Sequence, residues 1–146
     1  MRSSTESKIY FFFQTPVSLL RHRTRLKKFL ETLFNKEKKS LQSLNYIFCT
    51  DKQLLEINRQ YLQHDYYTDI ITFELSAKEM PVEGEVYISI DRIRDNAQSH
   101  HEPVYIELHR VIFHGALHLC GYKDKTRQQS ATMRRKENEY LSLFFE

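Results

Sequence analysis

Bulky apolar residues crowd the segment KIYFFFQ (8–14) and stop short of Pro16, a pattern that predicts a β-strand. Beyond Pro16 the period changes. Leu19, Leu26, Phe29, Leu30 and Leu33 recur at helical spacing as far as about Lys39, and Pro16 suits a first helical turn, where its missing N–H costs nothing. Arg21, Arg25 and Lys28 line the other side of that helix at i, i+4, i+7, with Arg23 and Lys27 nearby. LNYIFCT (44–50) predicts a second strand, and Asp51 is placed to cap a short helix through KQLLEINRQYLQ. TDIITFEL (68–75) is rich in β-branched residues, and GEVYISI (84–90) alternates Val86, Ile88 and Ile90; both predict strands. Asp91 opens a helix to about Ser99. Another runs from Glu102 or Pro103 to about Cys120, with Gly121 placed to end it. An amphipathic helix from near Arg127 to Leu143 closes the chain. Strands early and helices late, without strict βαβ alternation, predict an α+β fold: about four strands in a mixed sheet, packed with helices.

At 146 residues, with no internal repeat and no Gly/Ser linker, one domain over 1–146 accounts for the chain. An apolar share of 40%, including ten Phe and nine Tyr, can fill a core. The apolar runs are far too short for a membrane span. The amino-terminal MRSSTESKIY has neither an apolar h-region nor a small-residue cleavage site. Cys49 and Cys120 are too few to staple such a domain, so a reducing cytoplasm is the expected location. No coiled coil or long apolar edge demands a dimer, and a monomer is expected. The net charge of +3 is unevenly spread: ten Lys/Arg face three Asp/Glu in residues 1–50, against twelve and sixteen in the rest. Such asymmetry suits a face turned toward a polyanion, although a solvated helix face gives the same count.

The stretch FHGALHLCGYKDK (113–125) carries the chemistry. His114 and His118, one turn apart on a helix, share a face. Gly121 follows three residues later and Asp124 three after that, giving H-x-x-x-H-x-x-G-x-x-D. A glycine in a left-handed turn can break the helix and swing the next residues back toward the imidazoles. His114, His118 and Asp124 thus form a three-ligand set for one divalent metal ion, with a fourth position left for water, as in catalytic rather than structural zinc sites. A carboxylate ligand admits harder ions, so Zn2+ is the first expectation and Mn2+ or Ni2+ stay open. Cys120, two residues from His118, points to another face and is read as a small buried hydrophobe. The zinc-peptidase helix H-E-x-x-H places a general base beside its first histidine; here that position is Gly115, which argues against a metallopeptidase. Glu107, Asp69 and Glu74 are weak candidates for a base elsewhere, and Asp69 is a candidate to orient a ligand histidine.

HGALHLCGYKDK resembles the H-G-x-L-H-L-x-G-Y signature of the YbeY family of metal-dependent endoribonucleases. NRQYLQHDYYTDIITFEL (58–75) is similar to that family's N-x-x-Y…T-D-V-L-S-F segment, and GEVYIS (84–89) to its G-D-I-x-I-S strand. The resemblance implies a mixed α/β fold with one zinc-like ion in a cleft. It also implies cleavage of single-stranded RNA, with roles in maturing the 3′ end of small-subunit ribosomal RNA and in ribosome quality control. Two positions depart from the pattern. The third metal histidine is Asp124 here, and the arginine that follows the tyrosine of N-x-x-Y is Leu62, with Arg59 one turn earlier as its stand-in.

Three functions follow for comparison. The first is a metal-dependent endoribonuclease acting on single-stranded ribosomal RNA at the small ribosomal subunit. In it Lys123, Lys125 and Arg127 hold the RNA backbone, and Tyr61, Tyr66, Tyr67 and Tyr122 are available to stack on unpaired bases. The second is a non-catalytic ribosome-assembly factor with a structural metal. The third is a metallopeptidase.

Overall fold

In the computed structural model, residues 7–18, 20–64 and 66–146 are described. Five-residue β1 (Ile9–Phe13) is followed by α1 (Arg23–Lys36) and nine-residue β2 (Leu41–Cys49). Then come α2 (Asp51–Leu62), β3 (Ile70–Glu74), β4 (Val82–Ser89), α3 (Ile90–Ser99), α4 (Val104–Leu119) and α5 (Arg127–Phe144). The strands form one mixed sheet in the order β1-β2-β4-β3. β1, β2 and β4 are parallel, and β3 returns antiparallel along β4. A parallel neighbour needs a crossover, which α1 supplies between β1 and β2. The expected α+β architecture with a four-stranded mixed sheet is borne out.

The sheet separates two apolar layers. Leu44, Tyr46 and Phe48 of β2 and Val86 and Ile88 of β4 join the main core with α1, α3, α4 and α5. Cys49 and Ile71 face the other way, against Leu54 of α2. Each large aliphatic or aromatic side chain so buried contributes roughly 1.5–3 kcal/mol relative to exposure. α4 lies deepest: from Glu107 to Leu119 only His114 and His118 escape full burial. Buried Tyr46 donates its hydroxyl to the Ile112 carbonyl at 2.7 Å, which pins α4 over the middle of the sheet.

Local capping explains where the helices begin. Thr50, not Asp51, caps α2 through a reciprocal box in which its hydroxyl accepts from Gln53 N–H and the Gln53 side chain accepts from Thr50 N–H. Asp51 instead receives Arg92 at 2.6 Å and the Ser89 hydroxyl at 2.9 Å, joining α2 to the start of α3. The first helix departs from expectation. It begins at Arg23 rather than Pro16, because His22 takes a left-handed φ of 53° and the preceding segment packs Val17 and Leu20 into the core without helical geometry. Leu19 lies outside the described residues. Arg21 therefore precedes the helix, while Arg23 and Lys27 lie over the rings of Phe13 and Phe11.

Candidate active site

One cleft of about 660 Å³ runs along one face of α4. Glu107, Arg110, Val111, His114 and His118 line its floor, with Thr68, Asp69 and Ile70 from the β3 side and Met133, Arg134 and Glu137 from α5. Their spacing of three, one, three and four along α4 is the repeat of a single helix face.

α4 ends as its glycine predicts. Gly121 adopts φ 110°, its N–H bonds the His118 carbonyl at 3.0 Å, and Tyr122 N–H reaches back to the Leu117 carbonyl at 3.1 Å. These are the two bonds of a Schellman turn, in which the residue after the cap must be left-handed. The chain then doubles back and Asp124 returns to the cleft. Ser130 donates its hydroxyl to the Asp124 carbonyl at 2.8 Å, and Thr126 starts α5 with a second capping box with Gln129. Asp124 Oδ2 stands 3.4 Å from His114 Nε2.

The other nitrogen of that ring is also held. His114 Nδ1 meets Glu137 Oε2 at 2.6 Å, and Glu137 is only 6% exposed. A proton on Nδ1 donated to this carboxylate leaves Nε2 with its lone pair toward Asp124. Burial lowers the His114 pKa, but Glu137, Asp124 and Asp69 together outweigh it and raise the imidazole above its ordinary value. Glu137 is in turn flanked by Arg110 at 3.6 Å and Arg134 at 3.8 Å. Arg110 extends the network to Glu102 and, at 3.9 Å, to Glu107, which is 3% exposed. Burial raises the Glu107 carboxyl against the pull of His100 and Arg110, and likewise raises Asp69 against the pull of His114.

The donor set fits a metal ion in part. Two bonds of about 2.0–2.1 Å to a tetrahedral ion set their donor atoms about 3.3–3.4 Å apart, the spacing found between His114 Nε2 and Asp124 Oδ2. His118 lines the same cleft but is exposed. Among the described residues, no three His, Cys, Asp or Glu side chains converge closely enough to hold an ion as they stand. Cys120 is buried in the core, where desolvation pushes its thiol up to about 12, away from any ligand role.

Gly115 explains the missing glutamate. It is buried against the sheet, and a Cβ there would meet Val86 Cγ1 at 2.9 Å and Ile70 Cδ1 at 3.2 Å. A carboxylate at this position would be driven into the core rather than offered to the cleft.

Other residues singled out by sequence are dispersed. Arg59 is exposed on α2 and does not line the cleft. Lys123 borders a separate depression with Gly121, Tyr122 and Thr126, and Lys125 and Arg127 are exposed beside the turn. Of the four tyrosines only Tyr66 lines the cleft, its carbonyl held by the Asn58 amide at 2.9 Å. Tyr122 turns inward. Asp69, expected to orient a ligand histidine, accepts instead from Asn96 at 3.3 Å; Glu137 holds that histidine. Glu137 is marked in the sequence only by α5 amphipathicity, a pattern that does not separate a core neighbour from a partner of His114.

Comparison with known proteins identifies the family. A family model described as Endoribonuclease YbeY matches residues 13–144. A protein named Endoribonuclease YbeY from Cytophaga hutchinsonii is 52% identical over 138 residues, 94% of this chain and 96% of its own. One of the same name from Flavobacterium psychrophilum is 46% identical over 125 residues, 86% and 89% of the two chains. The solution structure of a Thermotoga maritima protein, 26% identical, superposes with a TM-score of 0.64 over 94% of this chain and 89% of that one. The family match, on an α+β fold, defines a class of small RNA-cleaving hydrolases. It belongs to the YbeY family, and the resemblance carried by residues 58 to about 125 is borne out.

Proposed function

We propose that this chain cuts single-stranded RNA in the α4 cleft, with one divalent ion held by His114, His118 and Asp124. Membership of a family of endoribonucleases supports the reaction class. The observation that carries the site is the Glu137–His114–Asp124 line: an imidazole gripped at 2.6 Å on one nitrogen and standing 3.4 Å from a carboxylate on the other. Carboxylate–histidine pairs of this kind orient metal ligands and raise their basicity. His118, one turn along the same face of α4, would supply the third ligand.

A divalent ion, when bound, supplies positive charge that activates water and offsets the charge of phosphate oxygens. The chain's own groups do the rest. Glu137 keeps the proton on His114 Nδ1. Arg134, exposed on the cleft wall, meets the phosphate backbone, and Lys123, Lys125 and Arg127 extend the positive border beyond Asp124. Tyr66 offers an aromatic face to a base that only an unpaired strand can present. Arg59 is assigned no contact with the reacting phosphate.

Within the cell the reading is a cytoplasmic monomer acting on ribosomal RNA of the small subunit, in 3′-end maturation and quality control. No helix among the described residues is long and apolar enough to cross a membrane.

The test uses one RNA sequence, single-stranded and as a duplex, with and without chelator. Cleavage of the single strand alone, lost on chelation and restored by Zn2+ or Mn2+, is expected. Chelator-resistant cleavage, or equal cutting of the duplex, contradicts the proposal.

A further inference from the structure

A cluster outside the cleft ties together the two elements that build it. Glu37 ends α1 as its C-cap residue. Its Oε1 accepts from the Tyr122 hydroxyl at 2.7 Å. Its Oε2 accepts from the Lys136 ammonium at 3.1 Å and from the Tyr140 hydroxyl. The Lys136 ammonium also lies 5.7 Å and 5.9 Å from the ring centroids of Tyr122 and Tyr140. Three donors surround one carboxylate. Burial pushes its pKa up, but the bonds from Tyr140, Tyr122 and Lys136 outweigh burial and hold it below its ordinary value. None of these four residues lines the cleft.

The positions of the donors matter more than their number. Tyr122 directly follows Gly121, the left-handed bend, and stands two residues before Asp124. Lys136 and Tyr140 flank Glu137 on α5, and Glu137 grips His114. A single side chain from α1 therefore reaches both the turn that returns Asp124 and the helix that holds His114. Hydrogen bonds to a charged carboxylate are among the stronger and more directional in a fold.

We infer that Glu37 is a positioning residue for the cleft: it locks the Gly121 turn against α5 and so sets the 3.4 Å separation between His114 Nε2 and Asp124 Oδ2. The inference rests on the proposed reading of those two atoms as metal donors. A brace that only stabilised the fold would lower the melting temperature of the metal-free chain and leave the ion affinity of the folded protein alone. A positioning residue lowers that affinity in a protein that is still folded.

The experiment titrates the metal-free full chain with Co2+, whose visible spectrum reports its coordination, alongside thermal unfolding of the same samples. The variants are Tyr122→Phe, Glu37→Gln and the double substitution. Tyr122→Phe keeps the packed ring and removes one hydroxyl, so it remains informative if Glu37→Gln fails to fold. Expected is a loss of Co2+ affinity for Glu37→Gln that is smaller than the roughly 10- to 100-fold typical of groups bonded directly to a ligand, with a still smaller loss for Tyr122→Phe. The double variant should be no weaker than Glu37→Gln, because both changes break one interaction. Folded variants with wild-type affinity and spectrum overturn the inference and leave the metal site standing. A wild-type chain that takes up no Co2+ overturns both.

Discussion

Glu137 Oε2 lies 2.6 Å from His114 Nδ1, so a carboxylate of the last helix fixes the ring of a histidine twenty-three residues earlier. The contact decides which imidazole nitrogen faces Asp124. Glu137→Ala should weaken metal affinity by roughly 10- to 100-fold. It also takes a partner from buried Arg110, which costs about 1–3 kcal/mol of stability. Metal titration and chemical denaturation of the same variant measure the two effects separately. Unchanged affinity would mean that His114 is held by its helix alone.

Gly115 is kept small by the sheet beneath it. Gly115→Ala gains up to about 1 kcal/mol of helix propensity. It also forces a methyl against the stiff Val86 side chain, at a cost of about 1–3 kcal/mol. The expected result is a net loss of up to about 2 kcal/mol in denaturant unfolding, with the cleft chemistry unchanged. Gly115→Glu, the substitution that would restore a peptidase motif, should fail to fold and show no peptidase activity.

The elements and the ligand turn were legible because their signals are local. Alternating Val86 and Ile88, the spacing of His114 and His118, and Gly121 before Asp124 all lie within one strand or one helix end. Contacts that assemble the site are not local. Glu137 lies 23 residues from His114, and Glu37 lies 85 residues from Tyr122. In sequence both are charged residues on amphipathic helices, indistinguishable from solvated ones. The start of α1 differs from the sequence expectation for a related reason: Pro16 is compatible with a first helical turn, but burial of Val17 and Leu20 ahead of Arg23 overrides that preference. Gly115 shows in the sequence as a missing base, yet its cause, the close approach of Val86 of β4, appears only in the packing.

His109 provides a pH dependence on the side of α4 away from the cleft. Its ring stacks on Phe144, and its Nδ1–H donates to the Tyr105 carbonyl at 2.7 Å. Burial lowers its pKa, outweighing that hydrogen bond, and nearby Arg25 lowers it further. The unfolded chain, with an ordinary value of about 6.5, takes the proton first. Acid therefore favours unfolding, and stability is lost as pH falls from about 6.5 toward the folded value. In denaturant unfolding from about pH 7 to about pH 5, the stability advantage of the wild type over His109→Gln should shrink. A constant difference across that range would show that His109 does not carry the dependence.

The most direct measurement of the central claim is the metal content of purified protein, wild type beside Asp124→Ala. One divalent ion per wild-type chain, absent from a folded Asp124→Ala variant, is the predicted result. A wild type that carries no ion, or an Asp124→Ala variant that keeps one with undiminished affinity, would contradict it.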